Sequence, residues 1–113
     1  MSKLAVVILN WNGKRFLERF LPVLLKTLPD YAEAVVCDNA STDDSVLFMQ
    51  EHFPQVRLLQ NNCNEGFARG YNLALERVEA KYYCLLNSDI EVTEGWVEPV
   101  VAQMDANEKI AAV

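Results

Sequence analysis

Apolar residues fall along this chain in two alternating textures. Four short runs, Leu4 to Leu9, Ala34 to Cys37, Val56 to Leu59 and Tyr82 to Leu86, are nearly uninterrupted, which is the pattern of strands buried on both faces. Between the first two, Phe16, Leu17, Phe20, Leu21, Leu24, Leu25 and Leu28 recur at helical spacing, with Lys14, Arg15, Glu18, Arg19 and Lys26 on the opposite side. This predicts an amphipathic helix. Pro22 within it removes one backbone donor and predicts a kink or a break into two shorter helices.

The second connection opens with Ser41, Thr42, Asp43 and Asp44, an N-cap cluster, before Val46, Leu47 and Phe53, and it ends at Pro54; a helix of about ten residues is expected there. In the third, Tyr71, Ala74, Leu75 and Val78 share one helical face after the Asn64-Glu65-Gly66 turn. In the fourth, Trp96, Val97, Val100, Val101 and Met104 repeat the spacing, and Lys109 to Val113 reads as a fifth strand beginning. Strands alternating with helices in this way predict an α/β class, a Rossmann-like parallel sheet with right-handed crossovers and helices on both faces.

Composition narrows the function classes. At 113 residues the chain holds one domain, and 51% hydrophobic against 23% charged residues excludes a disordered or fibrous protein. A net charge of −6 argues against nucleic acid or an anionic bilayer as the principal partner. The Leu4 to Leu9 run is too short for a signal-peptide core or a bilayer span, so a cytoplasmic location is expected. Cys37, Cys63 and Cys84, odd in number and widely spaced, read as reduced and mostly buried small hydrophobes.

Ligands on parallel α/β sheets bind beyond the carboxyl ends of the strands. Here the four runs are followed by Asn10-Trp11-Asn12-Gly13, by Asp38 to Asp43, by Gln60 to Gly66 and by Asn87-Ser88-Asp89-Ile90-Glu91. Such residues favour turns and caps everywhere, but four polar termini on one rim supply the convergent groups that a site requires. Asp38 directly ends a strand and can accept from a ring N–H or a ribose hydroxyl. Asp89 is a candidate ligand for Mg²⁺ or Mn²⁺, which favour few carboxylates together with phosphate oxygens. Neither G-x-G-x-x-G nor G-x-x-x-x-G-K-[ST] nor G-x-S-x-G occurs, and His52 falls on a predicted helix away from the rim, which weakens dinucleotide, P-loop and hydrolase readings.

Three motifs carry a more specific likeness: Val6-Val7-Ile8-Leu9-Asn10-Trp11-Asn12; Val36-Cys37-Asp38-Asn39-Ala40-Ser41-Thr42-Asp43 with Ser45; and Asn64 to Asn72 leading to Leu85-Leu86-Asn87-Ser88-Asp89. Together they resemble the nucleotide-sugar-binding, N-terminal half of GT-A, family 2 glycosyltransferases, in particular the rhamnosyltransferase-like branch. The resemblance implies that Asp38 contacts the base or ribose of a UDP- or dTDP-type donor and that Leu9, Asn10, Trp11 and Asn12 line the nucleoside pocket. It places Gly66, Phe67, Arg69 and Asn72 beside the diphosphate, Asn39, Asn87 and Ser88 in the same nucleotide site, and Asp89 on a Mg²⁺ or Mn²⁺ ion. The family's Asp-x-Asp motif has Asn87 as its first member here, leaving Asp89 as the metal ligand.

The implied reaction is inverting transfer of the sugar to a hydroxyl of a saccharide or lipid-linked acceptor, in a polysaccharide or glycolipid pathway, cytoplasmic or peripheral at the inner face of the membrane. The general base and the acceptor pocket are expected beyond Val113, so residues 1–113 would bind donor without turning it over. An exposed sheet edge would then favour self-association, with Trp96 and Met104 as contacts. The alternatives are a non-catalytic α/β interaction module whose rim only caps helices, and a phosphoacceptor receiver domain, which would want an acidic pair where Asn10 and Asn12 stand.

Overall fold

The computed structural model describes residues 2–107. Four strands and four helices alternate: β1 (Ser2–Asn10), α1 (Lys14–Thr27), β2 (Ala32–Asp38), α2 (Ser45–His52), β3 (Arg57–Gln60), α3 (Gly66–Leu75), β4 (Ala80–Asn87) and α4 (Val97–Ala106). All neighbouring strands pair in parallel, in the order β3-β2-β1-β4. The α/β class and the parallel sheet follow the sequence reading. The fifth strand expected from Lys109 lies outside the described residues.

Two cores sandwich the sheet. On one face Leu4, Val6, Ile8 and Val36 meet Leu17, Leu21 and Leu24 of α1, Phe48 and Met49 of α2, and Val97 and Val101 of α4. On the other, Ala5, Val7, Leu9, Val35 and Cys37 meet Ala74 of α3 and Val78 just after it. Adjacent β1 residues therefore feed opposite cores, each buried Leu or Val contributing roughly 1.5–3 kcal/mol.

The expectation of strands buried on both faces holds for β1 and β2 and fails for the other two. The fourth strand alternates between exposed and half-covered positions, and Tyr83 and Leu85 are exposed. The third has exposed ends. Among the described residues both are edge strands, and an apolar run does not reveal its place in the sheet.

Pro22 does not break α1, which runs unbroken through it from Lys14 to Thr27. Three apolar turns on Leu17, Leu21 and Leu24 hold the helix to the sheet across the missing backbone donor. The second helix is shorter than expected, eight residues ending at His52, and the third stops at Leu75. There Arg77 and Val78 donate to the carbonyls of Ala74 and Leu75, tightening the chain so that Val78 still reaches the core. Of the cysteines, Cys37 is buried and Cys84 half-buried, but Cys63 is exposed, contrary to expectation. Burial pushes the Cys37 and Cys84 thiols up, away from nucleophilic use.

Opposite the loop rim, Asp105 of α4 accepts from Lys3 Nζ at 2.5 Å and from the Tyr82 hydroxyl at 2.7 Å, fastening α4 under β1 and β4. Trp96 is half-buried, its Nε1 donating to Thr27 Oγ1 at 2.8 Å. Among the described residues no helix is long and apolar enough to cross a membrane.

Candidate functional site

Parallel register brings the carboxyl ends of the strands level: Asn10 lies beside Asp38, Leu9 beside Asn87, and Asp38 beside Gln60. The four loops must therefore meet. They do so in two ways, one internal and one open to ligand.

The internal part is a knot around Asp38, which is 2% exposed. Its Oδ1 accepts from Ser41 Oγ at 2.6 Å and Asn10 Nδ2 at 3.0 Å, and its Oδ2 accepts the Ser41 N–H at 2.8 Å. Asn12 has φ 51°, a left-handed conformation that Asn tolerates better than most residues. Its Oδ1 accepts the N–H groups of Thr42 at 2.7 Å and Asp43 at 3.1 Å, while its own N–H reaches Ser41 Oγ at 2.9 Å. Ala40, at φ 63°, turns the chain between Asp38 and Ser41. The Ser41–Asp44 segment, expected to cap α2, thus mostly ties the first loop to the second. Asp44 occupies the cap position without a side-chain cap bond, and only Asp43 acts on the helix start, accepting the Ser45 N–H at 2.9 Å.

The open part is a cavity of ≈ 320 Å³. Leu9, Trp11, Asn39, Gly66, Phe67, Asn87, Ser88 and Asp89 line it, all expected from the sequence, together with Phe16 and Asn64. Trp11 and Phe67 stand at 53% and 65% exposure, large apolar rings held out in solvent. Asn87 Oδ1 accepts from the Tyr71 hydroxyl at 3.0 Å, and the same hydroxyl donates to the Leu86 carbonyl at 2.6 Å. Burial pushes the Tyr71 phenol up to about 12, so it remains a donor throughout the physiological range.

Five expected residues do not line the cavity. Asp38 and the Asn10 Nδ2 are spent on the buried knot, which leaves Asn10 Oδ1 buried without a hydrogen-bond partner, and Asn12 is spent on the Thr42–Asp43 turn. Arg69 is exposed and bonded through Nε to Glu65 Oε2 at 2.7 Å, one helical turn back, and Asn72 is exposed on α3. Phe16 has the phase of the sheet-facing stripe of α1, but in the helix's first turn it sits at the rim and lines the cavity. Asn64 belongs to the turn and to the third motif without being an expected site residue; its Oδ1 accepts the Gly66 N–H at 2.9 Å, an Asx turn that the Asn-x-Gly spacing encodes.

For a cation, the described residues hold no group of three His, Cys, Asp or Glu side chains. Asp89 is the one carboxylate among the cavity residues, exposed and next to Ser88. That donor set is too small for an all-protein cage and fits an ion that takes its remaining oxygens from phosphate and water, as Mg²⁺ does.

The family model described as "Glycosyl transferase family 2" matches residues 5–113. The chain belongs to this family. The match is to the family as a whole and does not resolve a rhamnosyltransferase-like branch within it. Among curated relatives, an uncharacterized glycosyltransferase of Haemophilus influenzae is 20% identical over 112 residues, covering 96% of this chain and 35% of the relative. The teichoic acid poly(glycerol phosphate) polymerase of Staphylococcus epidermidis is 26% identical over 96 residues, covering 81% of this chain and 13% of the polymerase. The crystal structure of S. aureus TarS 1-349 matches with TM-score 0.81 at 22% identity, over 95% of this chain and 33% of that one. TarS has also been crystallised in complex with UDP and with UDP-GlcNAc. At this identity the likeness is one of fold. The chain spans about a third or less of the length of these proteins.

Proposed function

We propose that the cavity binds the nucleoside diphosphate of a sugar donor, of UDP or dTDP type, with Mg²⁺ or Mn²⁺ at Asp89, as the donor half of an inverting glycosyltransferase. The observation that carries this reading is the composition of the cavity. Its lining brings together three aromatic rings, asparagine amides and a single carboxylate, the kinds of group that a base, a ribose and a metal-bound diphosphate call for.

Trp11, Phe16 and Phe67 offer apolar faces to a planar base. Asn64, with Oδ1 already accepting from Gly66 and Asn39, retains its Nδ2 as a donor toward a carbonyl or phosphate oxygen. The amino-terminal turn of α3 begins at Gly66 and Phe67; Asn64 takes the Gly66 N–H, and the helix dipole at this end favours the diphosphate. When bound, a divalent ion would offset the charge of the departing diphosphate. Asp89 would hold that ion, and Asn87, fixed by Tyr71, would steady the turn that carries it. One carboxylate cannot both hold the ion and take the acceptor's proton, so we assign the base to another part of the enzyme. Family membership and the crystallised UDP and UDP-GlcNAc complexes of TarS support the donor class.

The acceptor, a saccharide or a lipid-linked one, belongs with that other part, as does any peripheral attachment at the inner face of the membrane. Calorimetric titration with uridine, thymidine and adenosine diphosphates in Mn²⁺ tests the reading. Binding of the pyrimidine nucleotides in preference to the adenine one is expected, and equal or absent binding by folded protein would contradict it.

A further inference from the structure

From the cavity wall, where Asn64 and Asn39 stand, a line of three asparagine side chains runs through Asn61 to a cation outside the site. Arg77, just past the end of α3, donates from Nη2 to Asn61 Oδ1 at 2.6 Å. Asn61 Nδ2 donates to Asn39 Oδ1 at 3.0 Å, and Asn39 Nδ2 donates to Asn64 Oδ1 at 3.0 Å and to the Gly66 carbonyl at 3.3 Å. Arg77 is held in turn, its Nε donating to the Leu73 carbonyl at 3.0 Å and its own carbonyl accepting from Arg57 at 2.5 Å.

The direction of this line is dictated at both ends. A guanidinium only donates, so Asn61 must turn its oxygen to Arg77 and its nitrogen to Asn39. At the other end Asn39 Oδ1 accepts the Glu65 N–H at 3.1 Å, which leaves only its nitrogen for Asn64 and Gly66. Asn39 is 2% exposed, so water cannot readily replace a partner that it loses, and Asn61, at 9%, meets solvent only past the exposed Arg77.

We propose that Arg77 is a positioning residue for the cavity, acting through Asn61 and Asn39 to hold the Asn64–Phe67 segment in the orientation that receives ligand. The proposal rests on the donor-binding reading above. Without Arg77, Asn61 loses the charged donor that fixes which way its amide faces, so the reversed orientation is no longer held off from that end. A flip sets oxygen against oxygen at Asn39. Asn39 must then either give up the Glu65 N–H or part from Asn61, and both release the segment that lines the cavity.

Asn61→Asp separates this relay from a merely local role of Arg77. It is nearly isosteric and keeps an acceptor for Arg77, but it puts a second acceptor opposite Asn39 Oδ1. The experiment compares wild type, Arg77→Met, Arg77→Lys and Asn61→Asp by backbone hydrogen exchange and by UDP titration in Mn²⁺. In Arg77→Met and Asn61→Asp the Glu65 and Gly66 amides should exchange about tenfold faster, with the Val7 and Val35 amides unchanged, and UDP should bind roughly three- to tenfold more weakly. Arg77→Lys, which still donates, should recover most of the loss. Unchanged exchange at Glu65 and Gly66 in Asn61→Asp would overturn the relay. Faster exchange with wild-type UDP affinity would overturn its bearing on ligand. A wild type that binds no UDP would overturn the donor reading and the proposed consequence with it, while the exchange rates still report the relay separately.

Discussion

Asn10 and Asp38 end adjacent parallel strands and are joined side chain to side chain, Nδ2 to Oδ1, at 3.0 Å. The bond lies under the loops that form the cavity, and Ser41 completes it with two further donors to the same carboxylate. In this structure Asp38 is the post to which the first and second loops are tied. Ligand contact at this position would have to come through the loops it holds.

Asp38→Ala is accordingly expected to destabilise the fold. It leaves three donors without an acceptor at a buried position, at a cost of about 2–4 kcal/mol in urea unfolding. Asp38→Asn, which keeps one acceptor oxygen, should lose less. A stability equal to wild type in Asp38→Ala would contradict the assignment.

The rim was legible in the sequence because its cause is local: each apolar run stops at a polar residue, and parallel strands align their ends. Asp89 and its neighbour Asn87 follow from that, and the family resemblance adds Leu9, Trp11, Asn39, Gly66, Phe67 and Ser88. What the sequence concealed was pairing across distance. Asp38 and Asn12 are taken up by Ser41–Asp43, with Asn10 Nδ2 on the same carboxylate, and no spacing rule distinguishes a carboxylate that waits for ligand from one spent on a serine three residues on. Likewise Tyr82 to Leu86 reads as buried because its residues are apolar, whereas exposure of Tyr83 and Leu85 is set by the place of β4 at the sheet edge. Phe16 had helical phase but belonged to the rim, since phase fixes a face and not a height along the helix.

Gly13 offers a second test, in which the absence of a side chain is the feature. A Cβ there would lie 2.4 Å from Asn10 Oδ1 and 2.6 Å from Ser88 Oγ. Asn10 is fully buried and cannot give way, so Ser88, which lines the cavity, has to move. Gly13→Ala should therefore destabilise by about 1–3 kcal/mol and displace Ser88. Denaturation together with the Ser88 and Asp89 amide shifts by NMR would reveal it. An unperturbed Ser88 would contradict the predicted crowding.

Tyr71 predicts an alkaline signature. Burial raises its phenol from the ordinary 10.0 to about 12, so folding favours the protonated form. The resulting stabilisation is complete below about pH 10 and is lost as pH rises toward about 12. In urea unfolding Tyr71→Phe should sit about 1 kcal/mol below wild type at neutral pH. That gap should narrow only as pH rises above about 10. A gap independent of pH to the alkaline limit would contradict this account of Tyr71.

The central claim, a donor nucleotide held with a divalent ion at Asp89, is tested most directly by titrating UDP into wild type and Asp89→Ala, each with and without Mn²⁺. The account predicts that Mn²⁺ strengthens binding to wild type by about tenfold or more and has no such effect on Asp89→Ala, whose metal-free affinity should stay close to wild type. Binding that ignores Mn²⁺, or the same Mn²⁺ enhancement in both proteins, would contradict it.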